Sequence, residues 1–242
     1  MSGAAAPVRF ERDGRSAVVT LDRPQTRNSF DDGMVAAFED VLHELGRDDG
    51  VDVVVLTGSG PAFCGGTDLR ELERADAVRT LHVQRRTAEL VERWFRMEKT
   101  TITAFNGPAI GSGAVLGLAS DLRLAADTCV FAFPEIGLGI PLTWSGMAIL
   151  AGLVGADRAK RWLLLGQRVD AATMLDLELV AEVLPPTELA AGVDRLRDAL
   201  LATSPAARAM TKHAARLAGP RFEASAGDAF LGALGIALRE DG

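Results

Sequence analysis

Two glycine-rich turns constrain this chain more than any other feature. One is Gly58-Ser59-Gly60-Pro61-Ala62-Phe63-Cys64-Gly65-Gly66-Thr67-Asp68-Leu69, and the other is Asn106-Gly107-Pro108-Ala109-Ile110-Gly111-Ser112-Gly113-Ala114. Each follows a β-rich run, VDVVVLTG or TTITAF, and each feeds a segment with helical character. Strand, glycine turn and helix in succession aim backbone N–H groups at one point in space. Such groups bind negative charge without side-chain chemistry. Two of these turns in one chain point to a two-armed oxyanion hole.

The remaining pattern is β-β-α, repeated with short strands. VRFERDG and SAVVTLDR read as a hairpin through Asp13-Gly14. Residues 31–46 place Met34, Phe38, Val41, Leu42 and Leu45 at helical spacing, with Gly46 as the expected stop. VDVVVL is nearly continuous in apolar residues, as expected of a strand covered on both faces. Residues 68–97 read as a charged helix, ITAF as a strand, 113–120 as a short apolar helix, and DLRLAAD and TCVFAF as two more strands. From Trp144 onward the chain is expected to be almost entirely helical. One helix starts at Asp157, and another is capped by Asp170. Three helical stretches follow Pro185-Pro186, at 187–203, 205–218 and 221–238, with Pro205 and Pro220 near the first positions of the last two. The expected division is a core over 1–189 and a helical region over 190–242 that packs on the core or on another subunit.

Composition narrows the function classes. With 242 residues, 48% hydrophobic content and 24% charged, the chain is long enough for a sizeable core and reads as soluble and globular. A net charge of −7 argues against nucleic acid as the main partner. Cys64 and Cys129 are no disulfide framework, and the three histidines show no metal-ligand spacing with them. Cys64 stands in a glycine turn, yet the sequence places no histidine beside it, so a small buried residue is the expected role. The uncharged stretches 100–120 and 136–156 are interrupted by Gly, Pro and Asn, which favours buried strand, turn and helix over a membrane span. MSGAAAPVRF lacks the basic start and apolar run of a signal peptide, and a cytoplasmic location is expected. Gly-Lys-Ser/Thr, G-x-G-x-x-G and G-x-S-x-G motifs are all missing.

Four ordered motifs carry a family resemblance: Arg23-Pro24 with Arg27-Asn28-Ser29, VVVLTGSGPAFCGGTDL, FNGPAIGSGAVLGLASDLRLAAD, and FAFPEIGLGIP. In this order they resemble the enoyl-CoA hydratase/isomerase (crotonase) superfamily, from about residue 8 to residue 217. The resemblance implies an α/β fold of the ClpP/crotonase type: a spiral of β-β-α units with a C-terminal helical extension, assembled as a homotrimer or homohexamer. It implies an acyl-CoA thioester substrate and no permanently bound cofactor.

Carried over by residue, the oxyanion donors implied are the backbone N–H groups of Thr67 and Ser112. Fixed donors at the oxygen where an enolate charge develops are each worth roughly 10²–10³ in rate, and the helix opening near Gly113 adds its positive end. Ser112 departs from the glycine often found there, and the hole requires a local φ/ψ that suits a Cβ. Glu135 matches one of the two family glutamates. The other falls on Val115, which cannot move a proton. Because no acidic residue lies between Ile136 and Ala156, the dienoyl isomerase and aryl dehalogenase readings are weakened.

Further ligand contacts are implied for Arg27 and Lys212 (CoA phosphates), for Cys64, Gly65, Gly66, Asp68 and Leu69 (pantetheine and adenine), for Gly111 and Gly113, and for Val115 and Trp144 at the acyl group. Asp68 as a helix cap, Asp121 as a structural tie and Trp144 as a core residue are the competing roles. The chain ends at Arg239-Glu240-Asp241-Gly242, short of the final basic segment of many relatives, so closure of a CoA site is expected from elsewhere.

Hydration needs a deprotonated water oxygen and a protonated carbon, which suits two carboxylates. A double-bond shift needs one proton removed and one returned, which a single carboxylate can do. The leading expectation is therefore an enoyl-CoA isomerase. A hydratase working with Glu135 alone is the first alternative, and a non-catalytic acyl-CoA-binding protein is the second.

Overall fold

The computed structural model describes residues 6–72 and 76–218. The stretch 221–238 lies outside the described residues. Strand β1 (Val8–Asp13) and strand β2 (Ser16–Leu21) form the hairpin, with Gly14 at φ +58 in its turn. Helix α1 (Asp32–Arg47) is capped by Asp31, whose Oδ1 accepts from Met34 N at 2.8 Å. It buries Met34, Val35, Phe38, Val41, Leu42 and Leu45. The helix runs through Gly46 to Arg47, because Gly46 keeps a right-handed backbone that lets the turn continue.

Strand β3 (Val53–Gly58) and strand β4 (Thr100–Phe105) pair in parallel beside β2 and are fully buried except at the end of β3. The charged segment between them is two helices, α2 (Leu69–Leu72) and α3 (Ala77–Arg96). Asp76 has an extended backbone and accepts from Arg79 N, so it starts a new helix in place of the single one expected. After β4 come β5 (Ala109–Ile110), α4 (Ser112–Leu118), β6 (Leu122–Ala126) and β7 (Val130–Ala132).

The strands form a six-stranded sheet, β1-β2-β3-β4-β6-β9, and a three-stranded sheet, β5-β7-β8. The chain alternates between them: β4 lies in the first and β5 in the second, β6 in the first and β7 in the second. The bridges Phe30–Thr67 and Cys64–Ala109 bring the first glycine turn alongside the second sheet. This alternation is the β-β-α spiral.

Beyond Trp144 the chain is less helical than expected. Helices α5 (Gly146–Val154), α6 (Ala156–Leu164) and α7 (Ala171–Asp176) are interleaved with β8 (Arg168–Asp170) and β9 (Glu182–Leu184). Three residues are too few to show a strand period. β8 and β9 owe their extended form to β7 and β6, which they join at the sheet edges. Asp170 caps α7 as expected, accepting from Thr173 N at 2.8 Å. Helix α8 (Leu189–Leu201) packs Leu189 and Val193 against Val53, Val55 and Ile102 on one face of the large sheet. The main core, with Trp94, Phe105 and Phe131, fills the space between the sheets and α1, α3 and α4. Helix α9 (Pro205–Ala218) is fastened by Lys212, which donates to the Lys99 carbonyl at 2.8 Å and to Asp121 Oδ2 at 2.5 Å.

Candidate active site

The two glycine turns meet. Gly66 takes φ +82, and a Cβ there would stand 2.8 Å from the Ile110 carbonyl oxygen and 3.1 Å from Ser112 Oγ. A Cβ on Gly113 would press on Cys64, 2.9 Å from its Sγ, and one on Gly111, at φ +53, would overlap Glu135 Oε1. These three glycines are what lets one turn lie on the other and the carboxylate lie on both. Two buried or half-buried amides hold the first turn in place. Asn28 Nδ2 donates to the carbonyls of Ser59, Ala62 and Phe63, while Asn106 Oδ1 accepts from Gly58 N.

Both donor positions lie at the junction. Phe30 N donates to the Gly66 carbonyl and Asp68 N to the Phe30 carbonyl, which turns the Thr67 N–H to the opposite edge of that ladder. The Thr67 and Ser112 hydroxyl oxygens are 3.4 Å apart. Ser112 opens α4 with an ordinary negative φ, so its side chain costs the backbone nothing.

Glu135 begins a 3₁₀ turn (Glu135–Leu138) behind Pro134. Burial pushes its carboxyl up to about 7, opposed by hydrogen bonds from its own N–H and that of Ser112. Its Oε2 is buried with no hydrogen-bond partner among the described residues. A cavity of about 80 Å³ is enclosed here by Gly65, Gly66, Thr67, Leu69, Gln84, Ile110, Gly111, Ser112, Pro134, Glu135, Leu138, Ile140 and Thr143. Glu135 is the one ionisable side chain among these described residues. It also borders a largely apolar groove of about 360 Å³ formed with Leu142, Met147, Leu163 and Leu164, which Lys160 lines as well.

The other expected site residues divide. Gly65, Gly66, Leu69 and Gly111 line the cavity. Arg27 is exposed, at φ +55, and its carbonyl accepts from Gly65 N, with no partner for its guanidinium among the described residues. Asp68 accepts from Arg70 N at 3.1 Å, the capping role.

Four of the side chains expected near the ligand stand away from this cavity. Val115 is fully buried and packs toward Gly146, whose added Cβ would come within 2.7 Å of Val115 Cγ2, so it does not line the cavity. Trp144 is also buried, edge-on to Phe30 at 5.4 Å, and acts through Gln84, to whose Oε1 its indole N–H donates at 3.2 Å. The Cys64 side chain is sealed in the core, the expected role of a small buried residue, with its thiol pushed up to about 12 by burial, and it does not line the cavity. Lys212 is buried with its ammonium engaged by Asp121 and the Lys99 carbonyl, beside a different cavity. An apolar side chain, a large ring, a small thiol and a long aliphatic stem each gain more from burial here than from a solvated ligand cleft.

Gln84, Leu138, Ile140 and Thr143 join the site without having been expected. A signal existed for Gln84. Thr80, Gln84 and Thr87 are uncharged residues one helical turn apart within a highly charged helix, and all three are buried. Among the described residues no group of three His, Cys, Asp or Glu side chains is arranged to hold a metal ion, and no helix is long and apolar enough to cross a membrane.

The enoyl-CoA hydratase/isomerase family model matches residues 11–224. The chain belongs to that family. It is 30% identical to the short-chain-enoyl-CoA hydratase of Clostridium acetobutylicum over 206 residues, covering 85% of this chain and 79% of that protein. It is 36% identical to the 1,2-epoxyphenylacetyl-CoA isomerase of Escherichia coli over 178 residues, covering 65% of this chain and 68% of that protein. A Thermobifida fusca protein of enoyl-CoA hydratase type, solved in complex with acetoacetyl-CoA, superposes with a TM-score of 0.82 at 32% identity, covering 98% of this chain and 96% of that one. The chain thus has the crotonase fold and belongs to a family named for enoyl-CoA hydratases and isomerases.

Proposed function

We propose that this family member shifts a double bond, converting a 3-enoyl-CoA to a 2-enoyl-CoA with Glu135 as the sole proton carrier. The observation carrying this reading is the absence of a second ionisable side chain among the described residues around the cavity, with Val115 packed in the core where hydratases of the family have their other glutamate. The Glu135 carboxylate takes a proton from C2. The C2–H electrons form C1=C2, and the thioester carbonyl electrons move to oxygen, where the N–H groups of Thr67 and Ser112 hold the charge. Collapse of this dienolate forms C2=C3, moves the old C3=C4 electrons to C4, and takes the same proton there, which restores the carboxylate. A carboxyl near pH 7 suits both halves of the cycle.

In this reading Arg27, exposed beside the Gly65 loop, contacts CoA phosphate, and residues 190–242 form the helical region through which three copies, or two sets of three, assemble. The names of most relatives favour the second reading, a hydratase using Glu135 alone. The purified protein offered a 3-enoyl-CoA and a 2-enoyl-CoA in parallel separates them. Conversion of the first without hydration of the second is expected, and rapid hydration of the second overturns the isomerase. Tight binding with no turnover of either indicates the non-catalytic binder.

A further inference from the structure

Gln84 is a buried amide whose donor end has no hydrogen-bond partner among the described residues. It is 4% exposed and lines the cavity beside Glu135 and Thr143. Its one hydrogen bond among the described residues is received from the Trp144 indole N–H at 3.2 Å. An indole N–H is a donor only, so it dictates that Oε1 faces Trp144 and that Nε2 faces the other way. Glu135 lines the same cavity, and no hydrogen bond joins its carboxylate to the amide among the described residues. Among the described residues Nε2 is not one of the sealed, unbonded polar atoms, and the cavity is the space that Gln84 lines, so its N–H groups are available there.

The amide is also held still. Trp144 is locked edge-on against Phe30, and Thr80 and Thr87 bury the same face of α3 above and below Gln84. A fixed, desolvated donor is poorly matched to a hydrocarbon, because covering it without an acceptor forfeits the hydrogen bond it makes to water. Donor-lined sites reject ligands that lack the matching group far more strongly than apolar sites reject an extra methylene.

We propose that Gln84 selects the acyl group. Its Nε2 donates to an oxygen carried near the reacting carbons, so the preferred substrates are oxygen-bearing acyl thioesters over plain hydrocarbon ones. This rests on the reading that the acyl group enters the cavity beside Glu135.

Calorimetric titration of the whole protein with shape-matched saturated thioesters tests it. The pairs are 4-oxopentanoyl-CoA against 4-methylpentanoyl-CoA, and 3-methoxybutanoyl-CoA against 3-methylpentanoyl-CoA. At least one oxygenated ester is expected to bind about tenfold or more tightly than its match. Gln84→Met is expected to erase that preference while leaving the hydrocarbon ester within about threefold of its wild-type affinity. Equal affinities within both wild-type pairs, or a preference that survives Gln84→Met, overturn the proposal. Should the variant fail to fold, the wild-type pairs decide alone. None of the four esters carries a double bond to move, so the result does not depend on which reaction Glu135 performs. Failure of all four to bind would overturn the acyl-CoA reading together with this one, an outcome distinct from loss of preference.

Discussion

Glu135 owes its chemistry to where its neighbours end. Gly111 has no Cβ, so the carboxylate can lie against the second turn, and burial there raises it to about 7. Glu135→Gln is expected to lower kcat for a 3-enoyl-CoA by about 10²–10⁴-fold with ligand affinity retained, since only proton transfer is removed. Retained turnover would exclude Glu135 as the base. In the wild type kcat/KM should rise with pH to a plateau above about 7, the ionised form being the base. Stability moves the other way. In the unfolded chain the carboxyl ionises near its ordinary value of 4.5, while the fold resists ionisation until about 7. The penalty is therefore absent below about 4.5, grows between the two values, and is complete above about 7. Urea melts should find Glu135→Gln more stable than wild type at pH 8, by roughly 3 kcal/mol, and no different at pH 4.

At the scale of elements, the site depends on one turn being held against another. Asn28 is the principal clamp: it is fully buried, takes φ +57, receives Arg23 N at Oδ1, and reaches three carbonyls of the first turn through Nδ2. Asn28→Ala strands these buried groups and places a less tolerant residue in left-handed backbone. A loss of about 3–5 kcal/mol in unfolding free energy is expected, with a fall in turnover from the loosened Thr67 arm. A stability within about 1 kcal/mol of wild type would show that Asn106 holds the turn without it.

The elements legible in the sequence were those with a long period or a cap of their own. Helix α1 announced itself through Met34, Phe38, Val41 and Leu45, and α7 through Asp170. β8 and β9 had no such mark, since each is extended by the strand it joins. The break between α2 and α3 was similarly hidden, because Asp76 in a run of charge looks like any solvated residue until its carboxylate is seen capping Arg79 N.

For the molecule as a whole, α9 is joined to the body by the buried Lys212–Asp121 pair while Met210 and Leu217 on the same helix stand 73% and 77% exposed. Burial of such side chains against another copy would fit the proposed assembly. Sedimentation equilibrium should therefore give three or six times the 25.6 kDa of one chain, and a monomer at all concentrations would remove the trimer.

The sequence by itself determined the two glycine turns, their order, the family and the single glutamate behind them, because these rest on residue types whose effect is local: φ above zero, missing side chains, one carboxyl. Only the tertiary structure decided what faces the cavity. Val115, Trp144, Cys64 and Lys212 went to burial or pairing elsewhere, and Gln84 came in from a charged helix. Which way a side chain points depends on packing between elements far apart in the chain, and in this protein the two glycine turns are where that packing brings Glu135, Thr67 and Ser112 together.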